Sequence, residues 1–206
     1  MRSLFPDFNQ PPVATTAGVD EAGRGPLAGP VVVAAVILPA GFPLDGIDDS
    51  KKLDSKARAT AAERIRAGAI WHIERSEPQE IDRLNILRAT MEAMRRAVEG
   101  LPVRPDEVIV DGNRLPVGVD ERWRAEVRAD ARFQCVAAAS ILAKTERDRV
   151  MSAYSQKYPG YGFDRHFGYP TPDHLEALAK LGPSPIHRLS FGPLHLKEQL
   201  CLAFDG

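Results

Sequence analysis

The sequence predicts an α/β domain built on a mixed sheet. Three observations carry that expectation. Short β-branched runs alternate with longer segments of helical periodicity. The strands come first and the helices are interleaved among them. Acids recur where apolar runs end, as in the stretch AGVDEAGRGPLAG from Ala17 to Gly29. With 206 residues, 44% of them hydrophobic and 27% charged, the chain suffices for a single domain over 1–206 with a sizeable core.

Val31 to Leu38 is β-branched, short and closed by Pro39, which predicts a buried strand. The segment before Gly23 is expected to pair with it. From Ser55 onward, Ala57, Ala61, Ile65 and Ala69 recur every four residues with Lys and Arg between them, predicting an amphipathic helix. Trp71 to Arg75 reads as a returning strand. Leu84, Leu87, Met91, Met94 and Val98 alternate spacings of three and four, predicting a helix that faces the core and stops before Pro102. Glu107 to Val110 is a short strand leading into the turn Asp111-Gly112-Asn113. A further strand is expected through Trp123 to Arg128, then Asp130, then an Ala-rich helix from about Val136 to Lys157. Ala137 to Ala139 would let that helix lie close against a sheet. Pro159, Gly160, Gly162, Gly168, Pro170 and Pro172 mark an extended loop, followed by a short helix over His174 to Leu181 and an irregular stretch through Pro193.

The longest apolar run, Val31 to Leu38, falls far short of the roughly 20 residues needed to span a bilayer. No basic segment followed by an apolar stretch opens the chain, so no export signal is read and a reducing cytoplasm is expected. Cys135 and Cys201 have no ligand spacing, and Cys135, before Val-Ala-Ala-Ala, reads as a small buried hydrophobe. A net charge of -1 provides no global attraction to nucleic acid. Local cations would have to supply it: Arg122, Arg124, Arg128 and Arg132, then Lys144, Arg147 and Arg149, then Arg165, His166, His187 and Arg188. Taken singly, most such charges are solvated surface.

Asp20, Glu21, Asp111 and Asp130 are far apart in sequence, yet each is placed at or near a strand end. If the strands are neighbours, the carboxylates converge, and their mutual repulsion calls for a bound metal or an arginine. An oxygen-only donor set favours Mg²⁺ or Mn²⁺ over zinc. Two such ions can activate water and stabilise the leaving oxygen of a phosphodiester, which is nuclease chemistry. The alternative reading has Asp111 capping its turn, Asp130 paired with Arg128 or Arg132, and Asp20 and Glu21 solvated. Glu21 also poses a geometric problem, because adjacent strand residues face opposite ways. It must lie where the strand is breaking, or act through its carbonyl. Gly23, Gly25 and Ala28 match the G-x-G-x-x-A dinucleotide pattern, but a β-branched run follows where that motif needs a helix.

Gly18 to Pro30 (GVDEAGRGPLAGP) closely resembles the opening motif of the ribonuclease HII family. So do Asp49 to Leu53 (DSKKL), Val110 to Asn113 (VDGN), Ala138 to Lys144 (AASILAK), Gly168 to Thr171 (GYPT) and His187 to Phe191 (HRLSF). The blocks stand in family order and extend from about Ala17 to Pro193. The resemblance implies a ribonuclease H-like fold, a mixed sheet flanked by helices, with a loop-rich helical C-terminal extension over about 160–206. It implies hydrolysis of RNA in RNA–DNA hybrids and nicking of duplex DNA on the 5′ side of an embedded ribonucleotide, leaving 3′-hydroxyl and 5′-phosphate ends. The family's acids fall on Asp20, Glu21, Asp111 and Asp130, which would serve as catalytic residues and as ligands to Mg²⁺ or Mn²⁺. The turn Gly23-Arg24-Gly25 would present backbone to the 2′-hydroxyl, and Tyr169 would stack on the neighbouring sugar. Ser50, Lys51, Ser140, Lys144, His187, Arg188 and Ser190 fall on family positions expected near the phosphates.

This chain also departs from the family pattern. Many relatives have Lys-Gly-Asp where Arg128-Ala129-Asp130 stands here, and a lysine at Phe167. The second difference removes a cation from the substrate loop. Asp148, a fifth acid that could be mistaken for a ligand, is expected to pair with arginine instead. Gln199 to Phe204 (QLCLAF) resembles the short peptide with which bacterial replication enzymes bind the sliding clamp, although a terminal amphipathic helix docked on the domain would read the same way. A monomer without membrane association is expected. Two other readings are a ribonuclease HIII-type enzyme, which usually carries an extra N-terminal domain whereas about sixteen residues precede Ala17 here, and a hybrid-binding protein without turnover.

Overall fold

The computed structural model describes residues 15–47, 53–192 and 194, so the sites expected at Ser50 and Lys51 and the clamp peptide at Gln199 to Phe204 lie outside the described residues. Five strands form one mixed sheet: β1 (Thr16–Ala22), β2 (Val31–Ile37), β3 (Ile70–Ser76), β4 (Glu107–Asp111) and β5 (Trp123–Glu126), in the order β3-β2-β1-β4-β5. β1 pairs antiparallel with β2, and β2 with β3; β4 runs parallel to both β1 and β5. The segment before Gly23 therefore pairs with the apolar run, as expected.

All seven residues of β2 are buried, because both faces of the sheet are covered. Val31, Val33, Ala35 and Ile37 pack with Ala93, Met94 and Ala97 of α3 (Ile86–Glu99), whereas Ala34 and Val36 pack with α1 (Ser55–Gly68) and α4 (Gln134–Lys157). Ala137, Ala138 and Ala139 are buried on α4, and Gly18 opposite them accounts for the close approach. A Cβ there would sit 2.2 Å from the Cys135 carbonyl carbon and 2.3 Å from Val136 N. Cys135 itself is only partly buried; burial pushes its thiol up to about 11.

The helical stripe beginning at Leu84 divides between two helices. Leu84 ends a short helix, α2 (Pro78–Leu84), opened by a proline in its first turn, and α3 starts at Ile86. Asn85 separates them with φ +68, while its side chain accepts from Arg88 N and caps α3. Past α4, the expected loop contains one helical turn, α5 (Phe163–His166), and α6 (Pro172–Leu181) begins before His174 because Thr171 caps it through Oγ1. Phe163, Tyr161, Met151 and Ile186 form a small core of their own beneath this region. No helix among the described residues is long and apolar enough to cross a membrane.

Candidate active site

The parallel pairing of β1 with β4 builds the site. Its last register pair is Val19 with Val110, so the next residues, Asp20 and Asp111, stand abreast at the strand ends. Both belong to the face covered by α4, as Gly18 and Ile109 do. The chain leaves β5 through Arg128, which has φ +58, and enters a 3₁₀ turn over Ala129–Ala131 that carries Asp130. Ala129 N donates to Asp111 Oδ1 at 2.7 Å, drawing the turn toward β4. One carboxylate oxygen from each of Asp20, Asp111 and Asp130 lies within 4.8 Å of the others. Asp130 thus reaches the cluster from a turn just past the end of β5, near a strand end as expected.

The alternative roles considered for these acids do not match the geometry. Asp111 accepts from a distant turn, and Arg132 binds Glu126 at 2.8 Å. Asp20 is buried, accepting from Glu21 N at 2.7 Å and from the Ser140 side chain on α4. Burial, then the charges of Glu21 and Asp111, hold the Asp20 carboxyl well above the usual carboxylate range. Such a cluster is costly when ionised without a cation, and its all-oxygen donors suit a hard divalent ion. The residues therefore fit Mg²⁺ or Mn²⁺.

Glu21 stays outside the triad. The ladder to β2 continues through Glu21 with Val33 and Ala22 with Val32, so the strand is not breaking there on that side. By alternation, Glu21 shares the face of Ala17 and Val19. It remains near enough to raise Asp20, and its Oε1 lies 3.4 Å from Arg24 Nη1.

The turn after β1 is held from behind by two buried arginines. Arg188 donates to the carbonyls of Gly23 at 2.6 Å, Pro26 at 2.8 Å, Gly29 at 2.9 Å and Arg24 at 3.0 Å. Arg147, from α4, donates to Pro30, Ala28 and Phe167 carbonyls. Burial lowers Arg188 to about 9 and Arg147 to about 10. These carbonyls are turned inward, so the close backbone approach that the glycines permit is first of all to protein: a Cβ on Gly23, at φ +99, would lie 1.9 Å from Arg147 Nε. Arg24 itself is half exposed beside the acids.

Tyr169 stands across this turn, 44% exposed, with Cε1 only 3.6 Å from where a Cβ on Gly25 would be. Lys144 reaches Asp148 at 2.7 Å and lies 4.9 Å from the Phe167 ring centroid. Asp148 also lies 3.7 Å from Arg58, so it serves an ion-pair network apart from the triad. Ser190 is exposed, and its Oγ donates to Asp82 at 2.6 Å.

His187 and Arg188 are not where a phosphate could reach them. They are 2% and 0% exposed, and their polar atoms are engaged with Ser184, His174 and the turn carbonyls. Their position beside Leu189 and Ser190 in the sequence suggests a surface loop. However, Ala28 bridges His187, and Arg188 N donates to Leu27 O, which carries both inside. Sequence reasoning also passed over Arg147 as a support of the turn and over buried His174, and it took His166, buried as well, for one of the local cations. The one signal for Arg147 was the paired glycines, which ask what their bare backbone accommodates.

The family model described as Ribonuclease HII matches residues 17–193. The ribonuclease HII of Neisseria meningitidis serogroup B is 54% identical over 180 residues, covering 87% of this chain and 93% of the relative. Among solved structures, the ribonuclease H2 of Pyrococcus horikoshii superposes with a TM-score of 0.75 at 28% identity, covering 90% of this chain and 98% of the other. The PCNA:RNase HII complex of Archaeoglobus fulgidus gives 0.68 at 30% identity, covering 86% and 95%.

Proposed function

The chain belongs to the ribonuclease HII family and is a ribonuclease H, an endonuclease that degrades RNA in RNA–DNA hybrids; from this premise we propose that it also nicks duplex DNA 5′ to an embedded ribonucleotide, leaving 3′-hydroxyl and 5′-phosphate ends. The observation that carries the reading is the meeting of Asp20, Asp111 and Asp130 at the end of β1, the strand that leads into the Gly23–Gly25 turn faced by Tyr169.

In this reading Asp20, Asp111 and Asp130 hold Mg²⁺ or Mn²⁺, and Glu21 contributes from the opposite face of β1. Ions bound there supply a water of lowered pKa for in-line attack and charge to stabilise the departing 3′-oxygen. Ser140 and the Glu21 amide orient the Asp20 carboxylate. The Gly23-Arg24-Gly25 turn, its carbonyls held inward, offers its remaining polar backbone to the 2′-hydroxyl, and Tyr169 stacks on the neighbouring sugar. A deoxyribose at the scissile position would leave those desolvated groups without a partner, at about 1–3 kcal/mol each. In the same reading Arg24, Lys144 and Ser190 meet the backbone phosphates, and the buried His187 and Arg188 serve from within.

The test is a DNA duplex bearing one ribonucleotide, incubated with Mg²⁺, Mn²⁺ or chelator. Cutting is expected only with a divalent ion and only at the ribonucleotide. Equal cutting of an all-DNA duplex would remove the selectivity, and cutting that survives chelation would remove the mechanism. The PCNA complex of the Archaeoglobus fulgidus neighbour supports a further contact, between a sliding clamp and Gln199 to Phe204 of this chain. Deleting those residues should abolish retention on the clamp, and unchanged retention would rule it out.

A further inference from the structure

Three histidines lie together inside the C-terminal region, and the hydrogen-bond partners of each fix its proton. His166, His174 and His187 are 9%, 0% and 2% exposed, and the His166 and His174 rings stack at 4.5 Å between centroids. His187 Nδ1 lies 2.8 Å from Ser184 N, which can only donate. The His187 proton therefore belongs on Nε2, 3.1 Å from His174 Nε2, which must accept. That leaves the His174 proton on Nδ1, 2.8 Å from the Tyr169 carbonyl oxygen. His166 obeys the same logic: Nδ1 accepts from Gly168 N at 3.2 Å, and Nε2–H donates to Tyr161 O at 2.7 Å.

Every link runs one way, from Ser184 through both rings to Tyr169. Burial keeps His174 below the usual histidine range and His187 at about 4, so the rings are neutral as the chain requires. The Tyr169 backbone is thereby held at both ends, since its N–H donates to His166 O at 2.9 Å while its carbonyl takes the His174 proton. Gly168, between them, accepts from Leu27 N at 2.8 Å, and a Cβ there would meet Ala28 O at 2.5 Å. The loop that bears Tyr169 is thus pinned directly against the turn.

We propose that His187 and His174 are positioning residues for ribonucleotide cleavage, a tautomer-locked relay from Ser184 that fixes the Tyr169 backbone and so aims its ring across the Gly23–Gly25 turn. The relay deepens the proposed function and rests on its assignment of Tyr169 to the sugar. Neither histidine touches substrate; both act through Tyr169.

Two measurements test it on the full chain. First, long-range ¹⁵N correlation spectra of the unsubstituted protein at neutral pH should show His174 protonated on Nδ1, and His187 and His166 on Nε2. A His174 protonated on Nε2, or charged, would overturn the relay, and this readout needs no variant to fold. Second, kcat and KM are measured on the single-ribonucleotide duplex. Tyr169→Ala and His174→Leu should each cost about tenfold in kcat/KM, in the range carried by one stacking contact, and the double variant should be no worse than Tyr169→Ala alone. His174→Asn, which keeps a donor near Nδ1, should recover most of the loss. Losses that multiply in the double variant, or an Asn variant no better than Leu, would overturn the proposal while leaving Tyr169 at the sugar. Full activity in Tyr169→Ala would instead remove the sugar contact, a different outcome.

Discussion

Asp20 and Asp111 are neighbours across a parallel ladder, one residue beyond its last register pair, Val19 with Val110. Adjacent strands lie about 4.8 Å apart, so this pairing alone brings two carboxylates together before any loop contributes. Asp130 completes the triad because Asp111 itself accepts from Ala129 N.

Asp111→Asn should abolish cleavage, by about a thousandfold or more if it removes a metal contact worth several kcal/mol. Binding of the single-ribonucleotide duplex should survive, as measured by gel shift. A variant that still cuts at the native rate would show that the triad is not catalytic, and a chain that only binds hybrids would have no cleavage to lose.

Asp20→Asn should stabilise the protein in chelator, because it removes a buried charge that burial, Glu21 and Asp111 all oppose. Relief of about 1 kcal/mol raises Tm by about 2–4 °C in a chain of this size. Added Mn²⁺ should stabilise the native protein more than the variant. Equal response of both to the ion would count against Asp20 as a ligand.

Gly23→Ala and Gly112→Ala make a matched pair. Both positions have positive φ, +99 and +121, but only Gly23 has a neighbour, Arg147 Nε at 1.9 Å from the added carbon, whereas nothing lies within 4 Å at Gly112. The backbone cost of about 1 kcal/mol is common to the two, and the overlap should add about 1–3 kcal/mol at Gly23. Urea midpoints compare them directly.

Arg188→Lys should lose more than a surface arginine would. A lysine offers one compact head where the guanidinium fork serves four carbonyls. Each carbonyl left without a donor costs about 1–3 kcal/mol, so Tm should fall by several degrees. Discrimination between ribose and deoxyribose should weaken with it, read as the ratio of cutting rates on the two duplexes.

Acid should destabilise the fold through the buried histidines. His187 is held at about 4 and His174 is lowered as well, against about 6.5 in the unfolded chain. Below pH 6.5 the unfolded chain binds protons that the native rings refuse, so stability falls as pH drops from about 6.5 toward 4. His187 alone should account for about 1 kcal/mol between pH 7 and 5.5. His187→Asn should therefore show a shallower loss over that interval, measured by urea midpoints.

Much of the sheet was legible because its strands are written locally. The run from Val31 is unbroken since both faces of β2 are covered, and the alanines of α4 announce close packing. Asp20 and Asp111 could be found at strand ends, but their adjacency needed the β1–β4 pairing, which no local pattern encodes. Asn85 hid the break between α2 and α3 because the apolar spacing runs through it. His187 and Arg188 misled for the same physical reason. A buried polar residue is defined by distant partners, and these two find theirs at Ser184, His174 and the Gly23–Gly29 segment.

The anchoring of Gly23, Arg24, Pro26 and Gly29 by Arg188 has a temporal meaning during synthesis. The acids are all translated by residue 130, yet the turn beside them lacks its fastening until residue 188 has emerged from the ribosome. A nascent chain shorter than that carries the acids but not the guanidinium that fastens the turn, which in the proposed function is the part that meets the sugar. On that proposal, discrimination between ribose and deoxyribose is set later in synthesis than the acids themselves.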